Sequence, residues 1–259
     1  MPRMRRVVIV TGAGRGIGRA VAEWFGRSGH PTVLVARTAA EVENAAAEIR
    51  ATGGEALPFT GDVSDPAVVS ALFQTTREAF GRVSVLINNA AVVEPVGLTW
   101  DTSLAEWEYA FRANFTSALL CSRLAVADMI PSGSGRIINV VSGLAERPMA
   151  RFSAYSVSKA ALLHLTRIMA LEVRGLGITV NAVSPGVVNT RMQEQLRSMP
   201  IEKIGREAHD LFNKVYHRGM LKAPSDIARL IGFLASSETE EINGEVGDEA
   251  HYRNFGYSP

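Results

Sequence analysis

A tyrosine and a lysine that could move a proton lie four residues apart in the segment AYSVSK, as Tyr155 and Lys159. The segment is typical of a helix, and residues i and i+4 lie on one face of a helix, about one turn apart. A cation beside a phenol can make that phenol exchange protons near neutral pH. The same spacing also occurs on solvated helix faces, so the rest of the chain has to decide between the two interpretations.

A cluster of glycines that could bind phosphate follows the first apolar run, in VVIVTGAGRGIGRA. Glycine allows a tight turn and lets backbone N–H groups approach a pyrophosphate at a helix N-terminus. The spacing is T-G-x-x-x-G-x-G rather than G-x-G-x-x-G. We predict a phosphate-binding loop, and a tight strand–helix connection without a ligand is the alternative. The loop residues are Thr11, Gly12, Gly14, Arg15, Gly16, Ile17 and Gly18.

The end of the second predicted strand, VLVART, bears on the choice of nucleotide. In dinucleotide-binding folds an acid near this point binds the ribose 2′-hydroxyl of NAD, whereas an arginine accommodates the 2′-phosphate of NADP. Here the strand ends in Ala36 and Arg37, and Arg15 lies in the glycine loop. Two guanidinium groups can hold one phosphate through bidentate hydrogen bonds. We therefore expect NADP(H) rather than NAD(H), with two solvated surface arginines as the alternative.

Apolar, β-branched runs alternate with segments of helical length along the chain. The predicted strands are Val7–Val10, Thr32–Ala36, Ala56–Thr60, Val83–Ile87, Ile137–Val141, Ile178–Val183 and Glu245–Val246. The predicted helices are Ile17–Ser28, Ala39–Thr52, Pro66–Phe80, Trp107–Met129, Phe152–Arg174 and Ser225–Ala235. This alternation is typical of a parallel sheet that helices cover on both faces. We expect an α/β fold in one domain, residues 1–259, with a Rossmann-like, doubly wound parallel sheet of about seven strands.

Composition and charge argue against several kinds of partner. The formal net charge is +1 and 20% of the residues are charged, so neither nucleic acid nor an anionic membrane surface is indicated. The first apolar run has only about six residues, too few for a signal peptide or a membrane span. Cys121 is the only cysteine, which excludes an internal disulfide and a multi-cysteine metal site. We expect a cytoplasmic protein without a metal.

Further motifs follow the glycine loop in a definite order. They are Asn88-Asn89-Ala90, Ser142, Tyr155-x-x-x-Lys159 and Pro185-Gly186. Together with Thr11-Gly12-x-x-x-Gly16-Ile17-Gly18 they resemble the motifs of the short-chain dehydrogenase/reductase family. The resemblance runs from about Arg6 to Ala235, and the thirteen-residue step from Ser142 to Tyr155 fits it, as does Asn114 within a long predicted helix.

The resemblance implies an oxidoreductase that interconverts a carbonyl and an alcohol. Tyr155 would be the general acid in reduction and the base in oxidation. Lys159 and the positive charge of the oxidised nicotinamide would lower the pKa of Tyr155, and Lys159 would also hydrogen-bond the nicotinamide ribose. Ser142 would hydrogen-bond the substrate oxygen. Asn114 would support a water molecule that links Lys159 to solvent.

The resemblance also implies cofactor contacts along the carboxyl ends of the strands. Asp62 and Val63 would meet the adenine, and Asn88, Asn89 and Ala90 would face the cofactor backbone. For Asp62 and Asn88 a capping or turn role is the alternative. Pro185, Gly186 and Val188 would line the nicotinamide, and Thr190 would lie near the pyrophosphate. The remaining implied cofactor contacts are Arg37, Thr38, Tyr155 and Lys159.

Two segments depart from the regular alternation. Residues 189–222 form a long, partly helical insertion where open parallel sheets bind ligands, so we predict a substrate-binding lid. Its apolar residues, which favour an apolar substrate over a sugar, are Met192, Leu196, Met199, Leu211 and Phe212. The tail, residues 247–259, has Gly247-Asp248-Glu249 where the family commonly has an aspartate–glycine–glycine turn. Either the tail packs on its own subunit, or its aromatic residues reach a partner's pocket.

Several functions remain open at this stage. The helix Trp107–Met129 is apolar on more than one face, and the resemblance implies a homotetramer or a dimer. The substrate would be a small carbonyl or alcohol compound. Within the enzyme class a ketone reductase, a 3-oxoacyl-type reductase and a sugar or polyol dehydrogenase are alternatives. A non-catalytic dinucleotide-binding sensor or scaffold is the alternative outside it. The set Asn114, Ser142, Tyr155 and Lys159 argues against a sensor, because a pure binder needs no proton donor.

Overall fold

A parallel sheet of seven strands forms the centre of the protein, which is a computed structural model that describes residues 5–259. The strands are β1 Val8–Thr11, β2 Thr32–Ala36, β3 Ala56–Thr60, β4 Val85–Asn88, β5 Gly135–Val140, β6 Ile178–Val183 and β7 Val246–Gly247. Their order in the sheet is β3-β2-β1-β4-β5-β6-β7. The expected doubly wound parallel sheet is confirmed. Residues 1–4, part of the basic start of the chain, lie outside the described residues.

Helices connect the strands and form the lid segment. They are α1 Gly16–Arg27, α2 Ala39–Ala51, α3 Pro66–Phe80, α4 Leu104–Phe111, α5 Ser117–Met129, α6 Ser153–Glu172, α7 Arg191–Ser198, α8 Ile201–Ile204, α9 Arg206–His217, α10 Pro224–Leu234 and α11 Glu249–Arg253. The helix predicted over Trp107–Met129 begins earlier, at Leu104, because Ser103 and Glu106 cap its first turn reciprocally. A π-helical turn, Arg112–Thr116, separates α4 from α5.

Two apolar layers hold the helices on opposite faces of the sheet. Neighbouring residues of β1 alternate between them, since Val8 and Val10 face one layer and Ile9 faces the other. Helices α1, α2 and α10 cover the first face, and α3, α5 and α6 cover the second. Because every internal strand is buried on both sides, the sheet holds the loops at its carboxyl edge in fixed positions.

The strand order reverses between β1 and β4, which is where such sheets bind ligands. From β1 the chain winds outwards to β2 and β3, and it then returns to β4 on the other side. The loops that leave β1 and β4 diverge at this point and open a crevice. Thr11 ends β1 and Asn88 ends β4, so the glycine loop and the Asn89-Ala90 segment border the same crevice.

Candidate active site

Ser142 and Tyr155 form the centre of the site. Ser142 comes two residues after the end of β5, and Tyr155 lies in the first turn of α6. The two side chains are hydrogen-bonded to each other. The Ser142 hydroxyl also accepts a hydrogen bond of 3.2 Å from the backbone N–H of Leu144, which fixes its orientation. A carbonyl oxygen beside these two hydroxyls would be bound by both.

The pKa of Tyr155 is raised, because burial disfavours the phenolate; the hydrogen bond with Ser142 opposes this effect only in part. The direction is opposite to the lowering expected from Lys159. The Lys159 ammonium donates a hydrogen bond of 2.6 Å to the carbonyl oxygen of Val140, at the end of β5. Lys159 is only 2% exposed, and burial lowers its pKa to about 8. In this state of the protein, burial therefore controls the protonation of both groups.

Asn114 lies in the π-helical turn and connects it to two other parts of the site. Its side-chain oxygen accepts from the N–H of Val92 over 2.8 Å, and its amide donates to the carbonyl of Val92 over 2.9 Å. The amide also lies 3.0 Å from the hydroxyl of Ser158, on the helix of Tyr155 and Lys159. π-turns in helices are frequent at functional sites. Asn114 therefore positions α6; its expected role in proton supply remains a prediction.

The glycine loop has the geometry that a pyrophosphate requires. Helix α1 starts at Gly16, its N-cap side chain makes no capping hydrogen bond, and no acid lies in its first turn. The N–H groups of that turn are therefore oriented towards an anion. Gly16 has a φ of 56°, and a Cβ atom at Gly18 would lie 2.3 Å from the carbonyl oxygen of Gly12. The loop fits a dinucleotide, and Ile17 packs its side chain against the core below.

Thr11 and Asn89 hold the two borders of the crevice together. The Thr11 hydroxyl accepts hydrogen bonds from the N–H groups of Asn89 and Ala90, at 2.9 and 3.0 Å. The Asn89 amide donates to the carbonyls of Thr11 and Gly12, at 2.9 and 3.2 Å. Thr11 and Asn89 therefore fix the conformation of the glycine loop through hydrogen bonds to its backbone and to the start of the next segment.

The side chain of Asn88 does not face the crevice, so a cofactor contact of Asn88 would involve its backbone. It is 3% exposed, and its amide donates to the side chains of Asn139 and Ser122 over 2.8 and 3.0 Å. A polar residue at the end of a buried strand must satisfy its hydrogen bonds inside the protein. This role is neither the expected cofactor contact nor the cap or turn that was its alternative.

The residues after β3 are also only partly as expected. Asp62 accepts a hydrogen bond of 2.9 Å from the N–H of Ser64, which is the turn role considered as the alternative. Val63 is 6% exposed, and its side chain packs in the core with Val69 and Leu72. An adenine contact of Val63 would therefore involve its backbone.

The two arginines expected at a 2′-phosphate have different partners. Arg15 lies 3.4 Å from the carboxylate of Glu41, in the first turn of α2. Arg37 donates a hydrogen bond to the hydroxyl of Tyr109, on α4. That bond is the main cause of a raised pKa of Arg37. Sequence reasoning missed Glu41 and Tyr109, since neither lies in a recognisable motif. Thr38, next to Arg37, is exposed and precedes α2.

The segment after β6 lies against the glycine loop, as expected. A Cβ atom at Gly16 would lie 3.2 Å from the Thr190 side chain, which places Thr190 beside the start of α1. Pro185 and Val188 are buried, whereas Gly186 is exposed. Val187 and Asn189 exchange backbone hydrogen bonds with Lys222, at the end of the lid segment. The lid is thereby joined at both ends to the predicted nicotinamide segment.

The lid packs an apolar cluster next to Tyr155. Leu196, Ile204, Ala208 and Phe212 are nearly or fully buried against Phe152, at the start of the catalytic helix. The remaining members of this cluster are Val93, Val96, Leu144, Met149, Tyr155, Val187, Met192 and Met199. Of the apolar lid residues taken from the sequence, Leu211 is not in this cluster and is 40% exposed.

The tail packs on its own subunit. Tyr252 is fully buried, and its hydroxyl lies 2.8 Å from the carbonyl oxygen of Ala182 and 3.0 Å from that of Glu245. Tyr257 is also buried in the core that contains α1 and α10. The hypothesis that the tail aromatics reach a partner's pocket is therefore wrong for these two residues. His251 and Asp248 line a cavity of about 170 Å³ together with Ser142 and Gly143.

The described part of the chain, residues 5–259, contains neither a candidate membrane span nor a candidate metal cluster. None of the helices in this range combines the length and apolar character needed to cross a membrane. Within the same range no three His, Cys, Asp or Glu side chains are grouped so that they could hold a metal ion.

Known proteins of one family are similar to this chain over most of its length. Residues 6–201 match the family model described as short chain dehydrogenase. A short-chain type dehydrogenase/reductase of Picea abies is 36% identical, covering 93% of this chain and 89% of the relative. An NADPH-dependent aldehyde reductase-like protein of Arabidopsis thaliana, named as chloroplastic, is 34% identical, covering 95% of this chain and 93% of the relative.

Solved structures lead to the same family. A variant of actinorhodin polyketide ketoreductase, crystallised with NADPH, has a TM-score of 0.88 at 29% identity and covers 95% of both chains. Levodione reductase has a TM-score of 0.87 at 29% identity and covers 97% of this chain and 98% of its own. This chain belongs to the short-chain dehydrogenase/reductase family and is an oxidoreductase that acts between carbonyl and alcohol groups with a nicotinamide dinucleotide.

Proposed function

We propose that the protein is an NADP(H)-dependent reductase of apolar ketones or aldehydes that can also oxidise the corresponding alcohols. The observation that carries the proposal is the hydrogen-bonded pair Ser142–Tyr155 beside the apolar cluster of the lid. A surface of methionine, leucine, valine and phenylalanine side chains beside this pair favours an apolar substrate group. It leaves the hydroxyls of a sugar without partners, which disfavours a sugar or polyol dehydrogenase.

In this proposal Ser142 and Tyr155 both hydrogen-bond the substrate oxygen. The bound nicotinamide supplies the hydride in reduction and accepts it in oxidation. Tyr155 donates its proton to the oxygen as the alcohol forms. The raised pKa of Tyr155 keeps it protonated at neutral pH, which suits a proton donor. Oxidation needs the phenolate, and the positive charges of Lys159 and of the oxidised nicotinamide would both favour it.

Lys159 is suited to return a proton to Tyr155. Burial lowers its pKa to about 8, so its ammonium can lose and regain a proton close to neutral pH. Asn114 holds the helix of both residues in place through Ser158. A non-catalytic sensor would have no use for this arrangement, and its buried lysine would only lower stability.

The preference for NADP(H) is supported by Arg37. It follows β2 directly, is exposed, and pairs with a neutral hydroxyl rather than with a carboxylate. Two relatives are named as NADPH-dependent reductases, and the related ketoreductase was crystallised with NADPH. Arg15 contributes less, since Glu41 already partners it. The proposed protein is a homotetramer or a dimer, and it is located in the cytoplasm.

Consumption of NADPH and NADH with a panel of carbonyl compounds tests the proposal. The panel contains apolar ketones and aldehydes, a 3-oxoacyl thioester, and sugars. We expect turnover of apolar carbonyls with NADPH and a marked loss with NADH. The variant Arg37→Asp should weaken NADPH about tenfold to a hundredfold and NADH little, because it replaces a charge-assisted contact by repulsion. Turnover confined to sugars would contradict the proposed substrate, and equal use of both nucleotides would contradict the proposed cofactor.

A further inference from the structure

A contact between Arg37 and Tyr109 spans the crevice above strand β1. Arg37 lies at the carboxyl end of β2, whereas Tyr109 comes from α4, which follows β4. Strand β1 lies between β2 and β4 in the sheet. Adjacent strands are about 4.8 Å apart, so β2 and β4 are separated by about 10 Å. Two long side chains, one directly after β2 and one from the helix that follows β4, meet in this contact.

We propose that Tyr109 and Arg37 act as one unit that binds the 2′-phosphate of NADP(H), with Tyr109 as a direct ligand and as the residue that positions Arg37. The inference rests on the proposed NADP(H) preference. It adds to it a specificity-determining residue that is 72 positions away from Arg37 in the sequence.

The first argument is the chemistry of the hydroxyl. A tyrosine O–H is both a donor and an acceptor. Tyr109 accepts a hydrogen bond from Arg37, so its own hydrogen is available for a phosphate oxygen. Tyr109 is 37% exposed, which leaves its hydroxyl within reach of a ligand in the crevice. A phosphate at this point would receive hydrogen bonds from a guanidinium and from a phenol.

The second argument is a comparison with Arg15 in the same region. Arg15 is partnered by the carboxylate of Glu41, whose negative charge opposes the binding of a phosphate. Arg37 is held by a neutral hydroxyl, so its orientation is restrained while its positive charge stays uncompensated by that partner. The carboxylate of Asp62 acts on Arg37 only as a weaker, electrostatic influence. Of the two arginines, Arg37 is therefore the one prepared for an anion.

The third argument is the rigidity of the helix that presents Tyr109. Ser103 and Glu106 cap the start of α4, and the side chain of Asn114 anchors its other end to the backbone of Val92. Tyr109 lies between these two fixed points. Arg37 is thereby held by a residue that cannot drift away from the crevice, which reduces the conformational entropy lost when a phosphate binds.

Binding of two adenosine probes, measured by calorimetry without turnover, tests the inference. Adenosine 2′,5′-bisphosphate carries the 2′-phosphate, and 5′-AMP lacks it. We expect Tyr109→Phe to bind the bisphosphate about tenfold more weakly than the wild type and 5′-AMP equally well, because one hydrogen bond to a charged group is lost. The unchanged 5′-AMP affinity also shows that the variant is folded. Tyr216→Phe is the matched control, since Tyr216 is likewise half-exposed and lies against an arginine, Arg197.

A double-mutant cycle separates the shared action of the two residues from independent contributions. If they act as one unit, Tyr109→Phe costs much less affinity for the bisphosphate in an Arg37→Met background than in the wild type. Equal costs in both backgrounds would overturn the inference. So would a Tyr109→Phe affinity within about twofold of the wild type, less than such a hydrogen bond is worth. If the wild type does not prefer the bisphosphate over 5′-AMP, the NADP(H) proposal itself fails and the inference fails with it.

Discussion

The amide of Asn114 donates to the hydroxyl of Ser158 over 3.0 Å, and this bond joins the π-helical turn to the helix that carries Tyr155 and Lys159. The Ser158 hydroxyl in turn lies 2.8 Å from the carbonyl oxygen of Tyr155. Asn114, which lies 41 positions before Tyr155 in the chain, therefore helps to fix the position of the proton donor Tyr155. The first prediction follows from this link.

Replacing Asn114 by alanine should lower both stability and turnover. Asn114 is fully buried, and its loss leaves the N–H and the carbonyl of Val92 without their side-chain partner. Each orphaned buried group costs about 1 to 3 kcal/mol. We expect a fall of about 3 kcal/mol in the free energy of unfolding and a lower kcat with little change in KM.

Asn181→Ala is the matched control for Asn114→Ala. Asn181 is also a buried amide, but it lies on β6 and bonds the backbone of Ile242 and Glu245, just before β7. Its loss should reduce stability, as judged by urea unfolding, and leave kcat per folded molecule unchanged. If both variants lose kcat in proportion to stability, Asn114 has no specific part in positioning the site.

Replacing Tyr155 by phenylalanine should abolish turnover and preserve cofactor binding. Only the hydroxyl is removed, so the fold and the lid contacts of the ring remain. A positioned general acid contributes about a hundredfold or more to the rate. Steady-state kinetics give the turnover, and NADPH fluorescence titration gives the affinity. A variant that keeps more than about a tenth of the wild-type kcat would remove Tyr155 from the role of proton donor.

Replacing Lys159 by methionine should stabilise the protein at neutral pH while it destroys activity. The fall in the pKa of Lys159 from 10.5 to about 8 on burial corresponds to about 3 kcal/mol. Because the folded-state pKa is the lower one, the unfolded chain binds more protons between these two values. The wild type therefore carries the whole penalty below about pH 8 and loses it as the pH rises towards 10.5.

Urea unfolding of the wild type and of Lys159→Met at neutral and alkaline pH measures this penalty. The stability advantage of the variant should be largest at pH 7 and should shrink above pH 8. Lys214→Met, at an exposed position of the lid, is the control and should change stability little at either pH. An advantage that grows with pH would show that the sign of the Lys159 effect is wrong.

Removing the hydroxyl of Tyr252 should destabilise the subunit. Tyr252→Phe removes the one O–H donor that the carbonyls of Ala182 and Glu245 share, at a cost of about 1 to 3 kcal/mol. For a chain of this size each kcal/mol lowers Tm by about 2 to 4 °C. Phe255→Ala is the control, because Phe255 is 39% exposed and should matter less. An unchanged Tm for Tyr252→Phe would mean that the tail is not part of the core.

Features that depend on local patterns were predictable from the sequence. The strands Thr32–Ala36, Ala56–Thr60 and Ile178–Val183 have the predicted bounds. In the first and the third a β-branched run between turn residues defines the strand locally. Strand β4 starts two residues later than predicted, at Val85. The N–H of Val83 instead donates to the carboxylate of Asp128, a partner that no local pattern reveals.

The sequence by itself determined the parallel sheet, the glycine loop, and the presence of a serine, a tyrosine and a lysine with the spacing of a proton-transfer site. Each of these features follows from the period of the apolar residues, the positions of the glycines or the spacing along a helix. All three are properties of residues close together in the sequence. Only the tertiary structure decided that Arg37 meets Tyr109 and Arg15 meets Glu41, that Asn88 turns inwards, and that Tyr252 enters the core. It also decided the direction of the Tyr155 pKa. Burial and pairing between distant positions depend on how the elements pack together, and that information is not contained in any short stretch of the chain.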